Sequence, residues 1–362
     1  MAHGDRILPD AGEGTGMLDD LDFQLINALQ IAPRSPWSAL GPALRTDAST
    51  LSRRWSRLTD AGLAWTTCYV LPERMQAYSP RGQRLRSSHA VIEIRCEAGR
   101  RAEVIAALAP KPAVLNIECT SGPRDLTVNI AAASPSMIDD YITAEVAALP
   151  GVIATSTRFV RIMYREGSEY DLDALRPAQR DRVEEAGRSA SSEAAIAPSP
   201  LTERIIQSLQ ADVRRPASEV ADEVGISVPL ARRTMAQLAR SDWVRMRADF
   251  AHDVVGWNAS VNLWVTVPQD SLASLASGLS QLPSVRLCAS TLGPANLVIT
   301  LWMREIDELD AIESRLRQLA PDARVADRWM TPRVAKRMGT LFDESGRRVG
   351  YVPVPLPRLA AA

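Results

Sequence analysis

Between residues 18 and 71 the apolar positions recur at the spacing of short amphipathic helices. Leu21, Leu25, Ile26 and Leu29 share one face, and Asp19, Asp20 and Asp22 stand at the start, where a helix dipole favours negative charge. Pro33 and Pro36 punctuate the pattern, and a second helix is expected over Trp37–Leu44. Asp47 is a good N-cap for a third helix that runs to about Ala61 and stops at Gly62. Leu63 to Leu71 then reads as a strand or wing. Three short helices with a tight turn before the third make the pattern of a helix-turn-helix.

From His89 the period changes. Val91, Ile92 and Ile94 predict a strand, Arg101 to Leu108 a helix, and Val114 to Cys119 and Leu126 to Ala131 two further strands. A helix follows from Ser134 to Leu149, closed by Pro150-Gly151, and Thr155 to Tyr164 is a last strand. The order βαββαβ is that of a ferredoxin-like split unit.

Both patterns then recur. Leu25 to Leu63 lines up without a gap on Ile205 to Trp243, so that Leu29-Gln30 meets Leu209-Gln210, Pro36 meets Pro216 and Arg53 meets Arg233. A second βαββαβ series is expected over Ala259–Val267, Ser271–Leu282, Val285–Ser290, Leu297–Trp302, Glu305–Leu319 and Arg324–Met330. The turn Gly122-Pro123-Arg124-Asp125-Leu126 returns as Gly293-Pro294-Ala295-Asn296-Leu297. A unit this long is no solenoid repeat, whose period is about 20–50 residues. It reads as a duplicated gene and predicts an α+β protein: two winged helix-turn-helix domains and two βαββαβ ferredoxin-like domains, pseudo-dimeric within one chain. The expected divisions are a flexible tail (1–17), helix-turn-helix 1 with a connecting strand (18–86), βαββαβ domain 1 (87–166) and a linker (167–200) holding a polar helix from Asp171 to Ala186. Helix-turn-helix 2 (201–256), βαββαβ domain 2 (257–338) and a C-terminal tail (339–362) follow.

Composition narrows the chemistry. A formal net charge of −1 gives no global pull toward nucleic acid, so any such role rests on local basic faces. Arg45, Arg53, Arg54, Arg57, Arg74, Arg81, Arg84 and Arg86 form one, and Arg232, Arg233, Arg240, Arg245 and Arg247 a second. Cys68, Cys96, Cys119 and Cys288 lack metal-ligand spacing and read as reduced buried thiols, so no metal or cofactor is expected. The eight tryptophans read as core or interface residues. No apolar run approaches the roughly 18 residues of a membrane helix, no signal peptide is evident, and a cytoplasmic protein is expected.

On the third helix Leu51, Trp55, Leu58 and Gly62 fall together as a packing face, which leaves Ser49, Ser52, Arg53, Ser56 and Arg57 opposite. Small hydroxylated residues let a helix approach a major groove, and Arg can pair with guanine or phosphate. Arg54, nearer the packing edge, is assigned to phosphate. In the second copy, with Ser227 as N-cap, Ala231, Met235 and Leu238 face inward. Pro229, Arg232, Arg233, Ala236 and Gln237 face out, and Arg240 lies one turn later.

The run from Leu44 to Leu58, followed by Ala61-Gly62-Leu63, resembles the helix-turn-helix of the Lrp/AsnC family of transcription regulators, as does Val224 to Leu238. The βαββαβ modules are similar to that family's ACT-like effector domain. The resemblance spans nearly the whole chain, twice. It implies a regulator of double-stranded DNA that responds to a small effector such as an amino acid and forms homo-oligomers through its ACT-like domains. It further implies effector contact at Gly122, Arg124, Asp125, Gly293 and Asn296, although a turn role for Asp125 stays open. Asn296 lacks the charge of Asp125, which argues against equal affinity at the two sites. Differing recognition helices imply unlike half-sites, and the effector would act by biasing the placement of the two heads. Two alternatives remain: an enzyme like the sirohaem decarboxylases, which resemble the same architecture, and a metabolite-sensing module without DNA binding. Whether the chain pairs within itself or swaps with a neighbour is open.

Overall fold

The computed structural model describes residues 18–71, 74, 87–189 and 194–356. The expected tail 1–17, Arg81, Arg84, Arg86 and the last six residues lie outside the described residues. The elements run α1 (Asp20–Ile31), α2 (Trp37–Leu44), α3 (Ala48–Asp60), β1 (Ala64–Val70), β2 (Ser88–Cys96), α4 (Arg101–Leu108), β3 (Val114–Cys119), β4 (Leu126–Ala132), α5 (Pro135–Tyr141) and β5 (Val152–Arg165). They continue as α6 (Pro177–Ser189), α7 (Pro200–Leu209), α8 (Ala217–Val224), α9 (Val228–Leu238), β6 (Val244–Phe250), β7 (Ala259–Thr266), α10 (Gln269–Leu279), β8 (Val285–Thr291), β9 (Leu297–Met303), α11 (Leu309–Leu319) and β10 (Arg324–Met330). Three short strands close the series, β11 (Arg333–Arg337), β12 (Thr340–Phe342) and β13 (Arg348–Tyr351). They fold into two compact units. One combines the described residues before 87 with 171–251 and 353–356, and the other combines 87–170 with 252–352.

The helical unit gathers both helix-turn-helix segments. Asp19 opens α1 in a capping box, its side chain accepting from the Asp22 amide and that of Asp22 accepting from its own. Asp47 caps α3 through the Thr50 amide at 2.8 Å. Ser227 holds the extended N-cap backbone of α9, yet its side chain makes no cap hydrogen bond. Leu51, Trp55 and Leu58, and in the second copy Ala231, Met235 and Leu238, are buried where the periodicity puts them.

Neither segment builds a hairpin wing among the described residues. Instead β1 and β6 pair antiparallel with each other, centred on Thr67 opposite Arg247, two residues at matching positions of the repeat. Each strand thereby crosses to the other helical set. Cys68 lies in the core formed by Ile205, Ile206, Leu209 and Trp243. Thr66 donates to Asp212 at 2.5 Å, and Thr67 to the Gln210 carbonyl at 2.9 Å. The loops after α1 and α7 also answer one another. Arg34 donates to the Val213 carbonyl and Arg214 to the Pro33 carbonyl, with Arg214 3.7 Å above the Trp37 ring.

In the second unit eleven strands form one sheet in the order β10-β7-β9-β8-β5-β2-β4-β3-β11-β12-β13. Within each copy the fourth strand lies beside the first, then the third, then the second. The sheet is continuous because β5 passes its own β2 and pairs with β8, Ile162 opposite Ser290. In the same way β11, which follows β10, pairs with β3, Arg333 opposite Cys119. The Leu292 amide donates to the Phe159 carbonyl, and the Ser121 amide to that of Met330, both at 2.9 Å. The two copies keep separate cores, one around Ile92, Ile94 and Val128 and one around Leu263, Leu275 and Ile299.

The segment read as a linker and the one read as a C-terminal tail are both packed. In the expected linker Leu172, Ala174, Leu175 and Val183 are buried. Buried Asn27 accepts from the Ala174 and Leu175 amides at 2.9 and 3.2 Å and donates to Asp171 at 2.7 Å. The helix itself begins at Pro177, because a proline at the first turn sacrifices no hydrogen bond there. The C-terminal segment adds β12 and β13 to the sheet edge, and Leu356 packs on the second helix-turn-helix core.

The four cysteines are buried and unpaired, and burial pushes the Cys68 thiol up to about 12. Among the described residues no helix is long and apolar enough to cross a membrane.

Arg45 ends α2 in the left-handed region at φ 55°, and its counterpart Gly225 ends α8 at φ 70°. A side chain there costs about 1 kcal/mol. Arg45→Gly is therefore expected to stabilise the chain by about 1 kcal/mol and Gly225→Ala to destabilise it by about as much. Urea denaturation of both variants checks the pair.

Candidate functional site

The exposed side of α3 presents Ser49, Arg53, Ser56 and Arg57, with Ser52 half-buried among them. Ser49 donates to Asp47 at 2.5 Å, so its hydroxyl also supports the cap. Arg53 makes no ion pair among the described residues. Arg54 is drawn back onto α1, 2.7 Å from Asp19 and 2.9 Å from Asp22. Arg57 pairs with Asp22 as well. These two arginines, expected to face DNA, thus hold the third helix against the first helix. An aspartate that is 1% exposed needs such partners, since an isolated buried carboxylate is costly. Periodicity could not reveal the pairing, because it joins residues 32 and 35 positions apart.

In α9, Arg232 and Arg233 are exposed and make no ion pair among the described residues. Gln237 is half-buried, and Arg240 donates to the Arg188 carbonyl at 3.1 Å, tying α9 to the end of α6. The side chains that remain most available are Ser52, Arg53 and Ser56 on one helix and Arg232 and Arg233 on the other.

The two glycine turns of the sheet unit have different surroundings. Gly122 and Gly293 both take positive φ, 88° and 137°, as a tight strand connection requires. Asp125 accepts from the Cys96 amide at 2.8 Å. Asn296 accepts from the Val267 amide and donates to the Val267 carbonyl, both at 2.8 Å. An amide can close both backbone groups of one residue where a carboxylate can only accept, which gives the departure at Asn296 a local structural reason. Arg124 is 8% exposed, bound 3.2 Å from Glu93 and 2.5 Å from Asp327, and stacked 3.8 Å over the Trp329 ring.

At the second turn a cavity of about 370 Å³ is lined by Arg161, Ser290, Thr291, Gly293 and Asn296, with Leu272 and Leu292 as apolar wall. Ser290 is 1% exposed, and its hydroxyl finds no hydrogen-bond partner among the described residues. Gly122, Arg124 and Asp125 stand at the other turn. The sequence reading missed Arg161 and Ser290; they come from strands paired across the two copies, and only the β5–β8 register brings them together.

Trp37 is half-buried and the other tryptophans are buried, and guanidinium groups lie over several of them. Arg286 lies 3.8 Å over Trp302 and Arg158 4.7 Å over Trp264. His252 stacks on Trp302 at 3.9 Å and meets Arg337 at 3.0 Å.

Residues 18–59 match the AsnC-type helix-turn-helix domain, and residues 89–168 match the Lrp/AsnC ligand binding domain. Both matches fall in the first half of the chain. Among solved structures, that of the siroheme decarboxylase NirDL is 12% identical, covers 91% of this chain and 96% of that one, and gives a TM-score of 0.53. The same enzyme in co-complex with an iron-uroporphyrin III analogue is 12% identical, covers 88% and 92%, and gives 0.52. AsnC of E. coli is 16% identical over 40% of this chain and 93% of its own, with a TM-score of 0.34. The likeness to NirDL is one of fold. No curated protein matches the sequence.

Asp22→Asn removes the charge that two arginines share and is expected to cost about 2 kcal/mol, less than for a fully enclosed pair because both arginines reach solvent. Urea unfolding at pH 7 measures it. Acid acts on the same unit. Burial raises the Asp19 and Asp171 carboxyls. Hydrogen bonds outweigh it and hold both below the ordinary value, from Arg54 and the Asp22 amide for the first and from the Asp173 amide, Arg180 and Asn27 for the second. Because their folded values are depressed, the stability they contribute is present above about pH 4 and lost as pH falls through those values. A denaturation midpoint that stays constant from pH 5 to pH 3 would contradict this.

Proposed function

We propose that the protein is a sequence-specific, DNA-binding transcription regulator of the Lrp/AsnC type, in which one chain supplies both halves of a dimer. The observation that carries the reading is the exposed basic face of α3, within a segment matching the AsnC-type helix-turn-helix. Arg53 and Arg233, at matching positions, are the base-reading candidates, with Ser52, Ser56 and Arg232 beside them. Duplication is supported by reciprocal contacts, Thr67 on Arg247 and Arg34 and Arg214 on each other's loops. The shared strand order supports two ferredoxin-like units. Two unlike heads on one chain favour an operator with unlike half-sites and raise the effective concentration for the second. Further association of chains through the sheet units and a cytoplasmic location belong to this reading.

We assign the effector to the cavity at Gly293. The Arg161 guanidinium suits a carboxylate, and Ser290 offers a buried hydroxyl with no partner among the described residues. The corresponding places at Gly122 hold Pro332 and Cys119, so one effector, a small carboxylate such as an amino acid, binds per chain. In this reading the protein performs no catalysis. The competing reading, an enzyme like NirDL, draws on the likeness of fold over most of the chain.

Arg53→Ala and Arg233→Ala are each expected to weaken binding to a selected duplex by about 1–3 kcal/mol while binding to random DNA changes little. An equal loss on both would make them phosphate contacts. Titration calorimetry across the amino acids is expected to give one site per chain, lost in Arg161→Ala; two equal sites would refute the assignment. Tetrapyrrole absorbance in the purified protein would favour the enzyme.

A further inference from the structure

Helix α6 lies outside both family matches, and it packs on α1 and α2 of the first helix-turn-helix. Between α6 and α2 is a pocket of about 250 Å³ lined by Gln24, Arg45, Arg176, Gln179 and Arg182. All three arginines are exposed, and none forms an ion pair among the described residues. Their neighbours behave differently. Arg180 lies 2.6 Å from Asp171, and Arg54 is held by Asp19 and Asp22. Asn27 holds the segment before the helix by accepting from the Ala174 amide, and Gln179 of the helix donates to Gln24 at 3.1 Å. The pocket also contains a strained residue. Arg45 keeps a left-handed conformation that the second copy gives to Gly225. A cost of that kind points to a reason for the side chain rather than for the turn.

We propose that this pocket holds a backbone phosphate of the bound DNA, a contact peculiar to the first head. Three arginines lining one opening match the charge and the planar hydrogen bonding of phosphate. Duplex DNA rather than a free phosphate fits the position, because Arg45 stands three residues before α3, whose exposed face carries Ser49 and Arg53. The second head has glycine at the place of Arg45. Its half-site is therefore bound with less phosphate contact, and the two ends of the operator differ in salt sensitivity as well as in sequence. The inference rests on the DNA-binding reading above.

The test uses the full chain and a duplex that the wild-type protein selects from a random pool, with binding followed by fluorescence anisotropy over a range of salt. The pair Arg176→Ala with Arg182→Ala is expected to flatten the slope of log K against log salt by about 1 and to weaken selected and random duplexes alike. Arg45→Gly is expected to bind more weakly although it melts higher, which separates lost contact from lost folding. Arg315→Ala, an exposed arginine of the sheet unit, serves as the control and leaves the slope unchanged. A wild-type protein that binds duplex while the pair keeps the wild-type slope overturns the phosphate assignment alone. A wild-type protein that binds no duplex overturns the DNA reading and this inference with it. Inorganic phosphate that raises the melting temperature of wild type but not of the pair, with unchanged DNA slopes, would make the pocket a free-anion site and refute the proposal.

Discussion

The antiparallel pairing of β1 with β6 is the constraint on which the helical unit depends. Each strand follows one helix-turn-helix and is buried against the other. Cys68 sits among Ile205, Ile206 and Leu209, and Thr66 and Thr67 satisfy polar groups at the end of α7. A strand alone would leave its backbone groups without partners. Paired, the two strands complete each other's cores, so neither helical set keeps its packing if the ribbon separates. The placement of α3 and α9 within that unit follows from this one register.

The sheet unit uses the same device on a larger scale. β5 and the β10–β11 run each serve their own copy and then cross to the second strand of the other. Positions at corresponding places carry different residues. At one crossing Val91 and Val160 pack beside Ala289 and Trp264. At the other the corresponding places carry Asn262, Thr331 and Glu118, where Asn262 donates to Thr331 at 3.1 Å and burial pushes the Glu118 carboxyl up. A single chain holding both halves can vary its two crossings independently, whereas two identical subunits must change both together. The asymmetry between the Gly122 and Gly293 turns has the same origin.

Much of the local structure was legible beforehand. The helices of both reading units, the strand order and the packing faces around Leu51 and Met235 follow from periodicity, since a side chain's direction is set by its own backbone. Segment 171–175 was misread because its burial depends on Asn27, far away in sequence, accepting its amides. Arg54 and Arg57 read as DNA-facing cations on a helical wheel; the carboxylate of Asp22 pairs with both. Asp125 and Asn296 fit an effector turn by pattern, but their hydrogen bonds go to the backbone at Cys96 and Val267.

The sequence by itself determined which elements form, that their order recurs, and which helix faces are basic. Periodicity, capping and turn chemistry act over a few residues, so the chain encodes them locally. Only the tertiary structure decided that the strands pair within one chain and that two arginines are taken up by Asp22. It alone brought Arg161 and Ser290 to one cavity and α6 to the side of α2. Those outcomes depend on register and on charge neutralisation between distant segments, which no local pattern records.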